Sequence, residues 1–185
     1  LFDVGKYNKE LEKIVEERDI IVDYNYNLVE IDGDKKEATF EHIKTNDRKT
    51  IDYEMLHVTP PMGPLRVLKE STLSDSDGWV DVNPTTLQHK SYSNIFALGD
   101  ASNVPTSKTG AAIRKQAPIV VNNLLQVMDN EMLTHHYDGY TSCPIVTGYN
   151  KLILAEFDYN KKPKETFPFN QAKERRSMYI FKKDL

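Results

Sequence analysis

The sequence predicts a mixed α/β fold, and three observations carry that prediction. A helix-period stripe opens the chain, short apolar runs separated by turn residues follow it, and a central apolar run ending in Gly-Asp leads into a long helix and a hairpin. In the opening stripe, Tyr7, Leu11, Ile14, Val15 and Arg18 recur at three- and four-residue spacing, with Lys9, Glu12, Lys13, Glu16 and Glu17 on the opposite face. Next come Ile20-Ile21-Val22, Tyr26–Ile31 with the turn signal Asp32-Gly33-Asp34, Ala38–Ile43, and Thr50–Met55 running into Leu56–Thr59. These runs predict a strand meander that stops at Pro60-Pro61, because proline has no N–H for a sheet ladder.

From Met62 to Gly78 the chain is polar with Gly and Pro, and it predicts a loop holding one amphipathic turn near Leu65–Leu68. Trp79–Val82 predicts a brief strand, and Asn94–Asp100 a buried strand that ends abruptly at Gly99-Asp100. Ser107 or Thr109 is placed to cap a helix that runs to about Asn130 and is bent by Pro118. Tyr140–Thr147 and Lys151–Tyr159 predict a hairpin around Gly148-Tyr149-Asn150, and Gln171–Lys183 a last helix whose Met178, Ile180 and Phe181 form a modest apolar cluster.

Composition narrows the function classes. The 185 residues carry 24 Lys+Arg against 28 Asp+Glu, a formal net charge of −4, and the pI near 5.8 argues against unspecific nucleic-acid binding, which needs clustered cations. The single cysteine, Cys143, has no internal disulfide partner and cannot build a Cys-rich zinc site. No apolar run approaches the roughly 18–20 residues of a membrane span, and mean hydropathy is −0.58. The chain begins at Leu1 without a signal or transit-like segment, and it reads as a fragment.

The chemistry-bearing segment is Ile95–Thr109. In open α/β sheets ligands lie beyond the carboxyl ends of strands, where glycine permits close backbone approach and a following carboxylate binds a sugar or ribityl hydroxyl. The helix start adds N–H groups and partial positive charge, suited to an electron-rich ring edge. A strand ending in Gly99-Asp100 is equally well an ordinary buried strand with a turn. His135-His136 reads as an exposed pair, because neighbours on a strand point apart. Asp75-Ser76-Asp77-Gly78 reads as a turn, its glycine too early for a calcium loop.

Longer motifs decide between these readings. Tyr53–Met62, Gly78–Val82, Ala97–Asp100 and Pro105–Thr109 resemble sulfide:quinone oxidoreductases of the animal mitochondrial type. The match continues through Tyr137–Pro144, Val146–Asn150, Leu154–Tyr159 and Glu165–Phe169, and so covers nearly the whole chain as the C-terminal half of such a protein. The resemblance implies a glutathione-reductase-like FAD flavoprotein with two dinucleotide-binding-like domains. It would oxidise sulfide to sulfane sulfur, pass electrons to a ubiquinone-type membrane quinone, use a small thiol or other sulfur acceptor, and sit at the mitochondrial inner membrane through a C-terminal tail beyond this stretch. On this basis residues 1–62 are the remainder of the second dinucleotide-binding-like domain, 63–133 the flavin-contacting segment, and 134–185 the quinone and membrane side.

Carried over by position, Gly99 and Asp100 meet the FAD ribityl and phosphate region, Val58, Thr59 and Pro60 lie along the cofactor, and Lys108 and Thr109 approach the isoalloxazine edge. Tyr149, Phe157 and Phe169 are the quinone-side aromatics, with core packing of the hairpin as the other reading. The Gly-X-Gly-X-X-Gly turn for the FAD pyrophosphate is absent, so the stretch on its own is expected to hold flavin poorly and to be inactive. The departure from the family is Ala101, which stands where the resemblance expects a redox cysteine. Alanine forms no thiolate and attacks no disulfide. Cys143 is matched by a cysteine in the family and reads as a buried structural thiol. The alternatives are a non-catalytic flavin- or quinone-binding paralogue and an NADH:quinone reductase-like flavoprotein.

Overall fold

The computed structural model describes residues 1–183, so Asp184 and Leu185, the end of the predicted third segment, lie outside the described residues. The architecture is mixed α/β with small antiparallel sheets. The chain divides into two compact units: Ile14–Met62, and Leu1–Lys13 together with the chain from Gly63 onward. The first helix, α1 (Gly5–Glu17), runs from one into the other.

The Ile14–Met62 unit is built on a three-stranded meander of β1 (Tyr26–Asp32), β2 (Glu37–His42) and β3 (Arg48–Asp52). Register pairs Ile31 with Ala38 and Ala38 with Ile51, so one face carries these apolar side chains. The other face carries cross-strand polar pairs, Thr39 with Thr50 at 2.9 Å and Glu41 with Arg48 at 2.8 Å. A bulge at Val29 shifts the register of β1, and the Asp32 carboxylate accepts from the Asp34 and Lys35 N–H groups to form the first turn. Two predicted strands are absent here. Ile20-Ile21-Val22 and Leu56–Thr59 have no ladder partner among the described residues, and Ile21 is 89% exposed, so high β-propensity there meets no edge to pair with.

In the larger unit, α2 (Arg66–Lys69) is the single turn foreseen near Leu65–Leu68. Trp79–Val82 and Asn94–Asp100 do not form strands. Val80 makes one-residue bridges to Ser74 and Ser102, Val82 to His89, and Phe96 to Gln88. Gly99–Ala101 closes into a 3-10 turn. The hydrogen bonds of the 94–100 run go into the adjacent 87–89 loop, His89 N to Ile95 O and Ala97 N to Leu87 O, which leaves no continuous ladder. The apolar character of these runs serves a core of Val80, Val82, Leu87, Val104 and Tyr137, against which Leu98, Ile119 and Val120 pack. His89 is buried within this loop: its Nε2 donates to the Leu73 carbonyl at 3.0 Å and its Nδ1 accepts from the Ser91 and Tyr92 N–H groups.

The long helix α3 (Gly110–Met128) starts at Thr109 and contains Pro118. After it, β4 (Thr141–Gly148) and β5 (Lys151–Phe157) pair as a hairpin with Tyr149-Asn150 at the turn, where Asn150 takes the left-handed φ that such a turn needs. Beyond Lys151, β5 is buried on both faces, so the alternation of Leu152, Leu154 and Glu156 against Ile153 and Ala155 does not separate a wet face from a dry one. The last helix, α4 (Arg176–Lys183), begins later than the predicted Gln171. The reason is pairing: Leu154 N bonds to Gln171 O and Arg175 N to Leu152 O, so residues 171–175 extend along β5 instead of coiling.

Candidate functional site

The start of α3 is fixed by a relay of hydroxyls. The Ala112 N–H donates to Thr109 Oγ1 at 3.1 Å, Thr109 donates to Thr141 Oγ1 at 2.9 Å, and Thr141 donates to the Ser107 carbonyl at 3.3 Å. Thr109 is therefore at once a helix cap and a tie between α3 and β4. Gly110 and Ala111, which carry further first-turn N–H groups, line a cavity of about 700 Å³. The other walls come from β4 and β5 (Ser142, Cys143, Pro144, Leu154, Glu156) and from Tyr140, Thr166, Phe167 and Phe181. Arg114, Lys115 and Lys182 bring positive charge to the rim, and Lys115 lies 5.6 Å from the Tyr140 ring centroid.

Glu156 is the unusual wall residue. It is only 3% exposed, and its carboxylate meets four donors: Tyr140 Oη, Thr166 Oγ1 at 2.9 Å, Thr166 N at 2.7 Å and Gln171 Nε2 at 2.7 Å. All four are neutral. A buried carboxylate is tolerated when each oxygen is fully hydrogen-bonded, and here each accepts two bonds. Burial, together with the Glu156 charge, pushes the Tyr140 hydroxyl up to about 12, so it keeps its proton. Behind the site, Tyr7 of α1 accepts from the Glu156 N–H at 3.2 Å and offers its own proton to the Glu156 carbonyl and to Glu165.

The predicted flavin-contacting residues take distinct positions. Gly99 has φ +59, and a Cβ there would come within 2.9 Å of Ile113 Cγ1, so the glycine is required by the approach of α3. Its N–H donates to the buried Gln116 Oε1 at 2.7 Å. Asp100 is exposed on the 3-10 turn. Lys108 reaches back over the Trp79 ring at 4.1 Å and donates to the Ser102 carbonyl at 2.6 Å. Burial lowers its pKa, while Asp100 and Asp75 act the other way. Lys108 is thus tied to the loop that follows Gly99-Asp100, and Thr109 alone of this set lines the cavity. Val58, Thr59 and Pro60 belong to the Ile14–Met62 unit, in an exposed and unpaired segment.

The three quinone-side aromatics are not brought together. Tyr149 is 99% exposed at the hairpin turn. Phe157 lies at the far end of β5, about 20 Å along the strand from Lys151, buried edge-on against Phe2. Phe169 stacks on Phe167 at 5.4 Å with Arg175 over its ring. The aromatics that do line the cavity are Tyr140, Phe167 and Phe181. Cys143 also lines it and is half-buried, not the fully buried thiol expected; burial pushes its thiol up while a hydrogen bond with Ser107 acts the other way. Among the described residues no group of three His, Cys, Asp or Glu side chains is placed to hold a metal ion, and no helix is long and apolar enough to cross a membrane.

The residues that sequence reasoning passed over are Glu156, Tyr140, Arg114 and Lys115. The hairpin register sets Ser142 opposite Glu156, which brings Tyr140, two residues earlier, to the same end of the sheet. A carboxylate inside an otherwise apolar strand, Leu152–Phe157, is the available signal.

An α3 start with small residues, cationic rim groups and an aromatic wall fits the edge of a flat, electron-rich ring, the kind of group an oxidoreductase of this architecture holds. Comparison with known proteins makes the assignment specific. No protein-family model matches the chain. It is 53% identical to the mitochondrial sulfide:quinone oxidoreductase of Mus musculus over 186 residues, covering 100% of this chain and 41% of that protein. Identity is 53% to the Dictyostelium discoideum protein of that name, covering 94% of this chain and 38% of that protein, and 40% to the one from Schizosaccharomyces pombe, covering 100% and 42%. The chain belongs to the sulfide:quinone oxidoreductase family and matches part of its C-terminal half. It spans about two fifths of the length of these relatives. Among solved structures, it is similar to a chain in the cryo-EM structure of the Tetrahymena thermophila mitochondrial ATP synthase F1Fo composite tetramer model. That match has a TM-score of 0.79 and 33% identity, over 89% of this chain and 39% of that one.

Proposed function

We propose that the full-length protein is a mitochondrial, inner-membrane-associated FAD enzyme that oxidises sulfide and passes the electrons to a ubiquinone-type quinone. The observation that carries this reading is the 53% identity to a named sulfide:quinone oxidoreductase over the whole chain, and the cavity at the α3 start supports it. Bound FAD would supply two-electron redox chemistry. The chain's own share is positional. Thr109 and Thr141 hold the α3 start, Gly110 and Ala111 allow a ring edge to approach N–H groups, and Lys108, Arg114 and Lys115 lend positive charge to the side of the protein where negative charge develops on reduction. Residues 63–133 then form the flavin-facing part and 134–185 the quinone and membrane side.

A second reading is favoured by a specific residue. Ala101 stands where the family resemblance expects a redox cysteine, and its carbonyl accepts from Val80 N at 2.9 Å. With no thiol there, the full-length protein would be a flavin- or quinone-binding module that has lost sulfide oxidation. Similarity to a chain in an ATP synthase structure also supports a structural role, as a part of a larger mitochondrial assembly. The test is quinone reduction by full-length protein given sulfide, with and without a small thiol acceptor, and given NADH as a control. Sulfide-dependent reduction supports the first reading. Stoichiometric FAD with no sulfide-dependent reduction supports the second, and NADH-dependent reduction points to an NADH:quinone reductase.

A further inference from the structure

Helix α3 carries a second stripe besides the one the fold buries. On the inner side Ala112, Gln116 and Asn123 are buried, and Ile119 and Val120 pack on the core around Val80 and Tyr137. On the opposite side Pro118, Val121, Leu125 and Met128 are exposed, the last three over more than half of their surface. These four recur at alternating three- and four-residue spacing, and at 3.6 residues per turn they fall within an arc of about 80°. A surface helix ordinarily keeps its outer side polar. Alternating spacing of this kind is the seam of two helices lying side by side, where each apolar knob enters a hole between four side chains of its neighbour. The shape of the stripe therefore calls for a helix.

Charge at the two ends of the stripe selects which helix. Arg114 and Lys115 stand exposed near the start of α3, and Asp129 and Glu131 stand exposed just beyond its end. Among the described residues none of these four side chains forms an ion pair. Glu131 is held in place, because its N–H donates to the Gln126 carbonyl at 2.8 Å and the Gln126 side chain binds Thr134 at 2.8 and 3.0 Å. Turned end for end about the middle of the stripe, α3 is complementary to itself: Pro118 faces Met128, Val121 faces Leu125, and Lys115 faces Glu131. A parallel copy would set lysine against lysine. We propose that this stripe is the contact of a two-fold dimer, in which α3 packs antiparallel on α3 of a second copy of the chain. Lys115 of each copy pairs with Glu131 of the other, and since Lys115 lines the cavity rim, each copy brings an acidic group to the mouth of the other's cavity. The dimer does not depend on the flavin and quinone reading above.

The experiment is sedimentation velocity on the full-length protein across a dilution series. The wild type runs as a dimer that dissociates on dilution. Leu125→Glu places a carboxylate in the middle of the stripe and weakens the dimer on the order of 10-fold or more, the scale of a lost central contact, with the circular dichroism spectrum unchanged. Lys115→Glu and Glu131→Lys, each alone, set like charges together and weaken it roughly 10-fold. The two combined restore it, because the swap rebuilds both pairs, and only an antiparallel contact of α3 with itself gives that rescue. A wild type that stays monomeric at the highest concentration overturns the proposal; a fall in its melting temperature with Leu125→Glu would then show that another part of the same protein covers the stripe. A dimer that Leu125→Glu leaves intact overturns it as well. A dimer that Leu125→Glu breaks and the charge swap fails to restore overturns the antiparallel pairing.

Discussion

The Ile14–Met62 unit and the larger unit use polar residues in opposite ways. In the meander, Thr39 with Thr50, Glu41 with Arg48, and Lys36 with Glu54 decorate an exposed face. Surface pairs of this kind contribute about 0–1 kcal/mol each and can be exchanged freely. In the larger unit Glu156, Gln171, Gln116, Asn123, His89, Ser102 and Thr141 are buried. Their polar atoms are met by particular partners, Gln116 Nε2 excepted, because an unpaired buried polar group costs about 1–3 kcal/mol. One unit needs only a register. The other needs a specific set of side chains, and Glu156 of that set lines the cavity.

Alkaline pH should split the two most sharply. Tyr7, Tyr137, Tyr140 and Tyr159 all lie in the larger unit, and burial raises the pKa of each above the ordinary tyrosine value near 10. Groups raised in the folded state give full stabilisation below pH 10, and it is lost as pH climbs from 10 through their folded values, about 12 for Tyr140. The larger unit should therefore melt between pH 10 and pH 12, read by near-UV circular dichroism. A signal that stays flat to pH 12 would remove the buried tyrosines from the account.

The next effects are mutational. Leu152→Ala opens a cavity at a fully buried position between β5 and α4, in the cluster with Leu154 and Met178. It should cost about 2–5 kcal/mol, seen as an early denaturant transition. Gly99→Ala puts a methyl 2.9 Å from Ile113 Cγ1 at a left-handed φ, for about 1–3 kcal/mol, and it should also loosen the Gly99–Gln116 bond. A loss below the detection limit in urea melts would mean that α3 shifts freely, against the tight seating argued above.

What could be read in advance followed from periodicity and capping. The α1 stripe, the three meander strands, the α3 start at Thr109 and the hairpin turn at Asn150 are local signals, each fixed by neighbours within a few residues. Runs such as Ile20–Val22, Leu56–Thr59 and Asn94–Asp100 have strand-like composition, but a strand also needs an edge to pair with, and that is a long-range fact. The site divides along the same line. Lys108 and Thr109 stood out from a motif, whereas Glu156 acquires its meaning only once Tyr140, Thr166 and Gln171 converge on it from three places in the chain.

The smallest effects should come from the cap and from the meander surface, and their ratio tests the contrast directly. Thr109→Ala removes the acceptor for Ala112 N–H and the bond to Thr141, so it should cost about 1 kcal/mol, the usual worth of a cap. Thr109→Ser, which keeps the hydroxyl, should recover most of that. Arg48→Ala breaks an exposed pair with Glu41, in which the arginine side chain is 62% exposed, and it should cost below about 0.5 kcal/mol and less still in high salt. If Arg48→Ala proves as costly as Thr109→Ala, the meander face is not a solvated surface. In that case its charged pairs are desolvated in the full-length protein, and the units would differ in partner contacts and not in how they use polar residues.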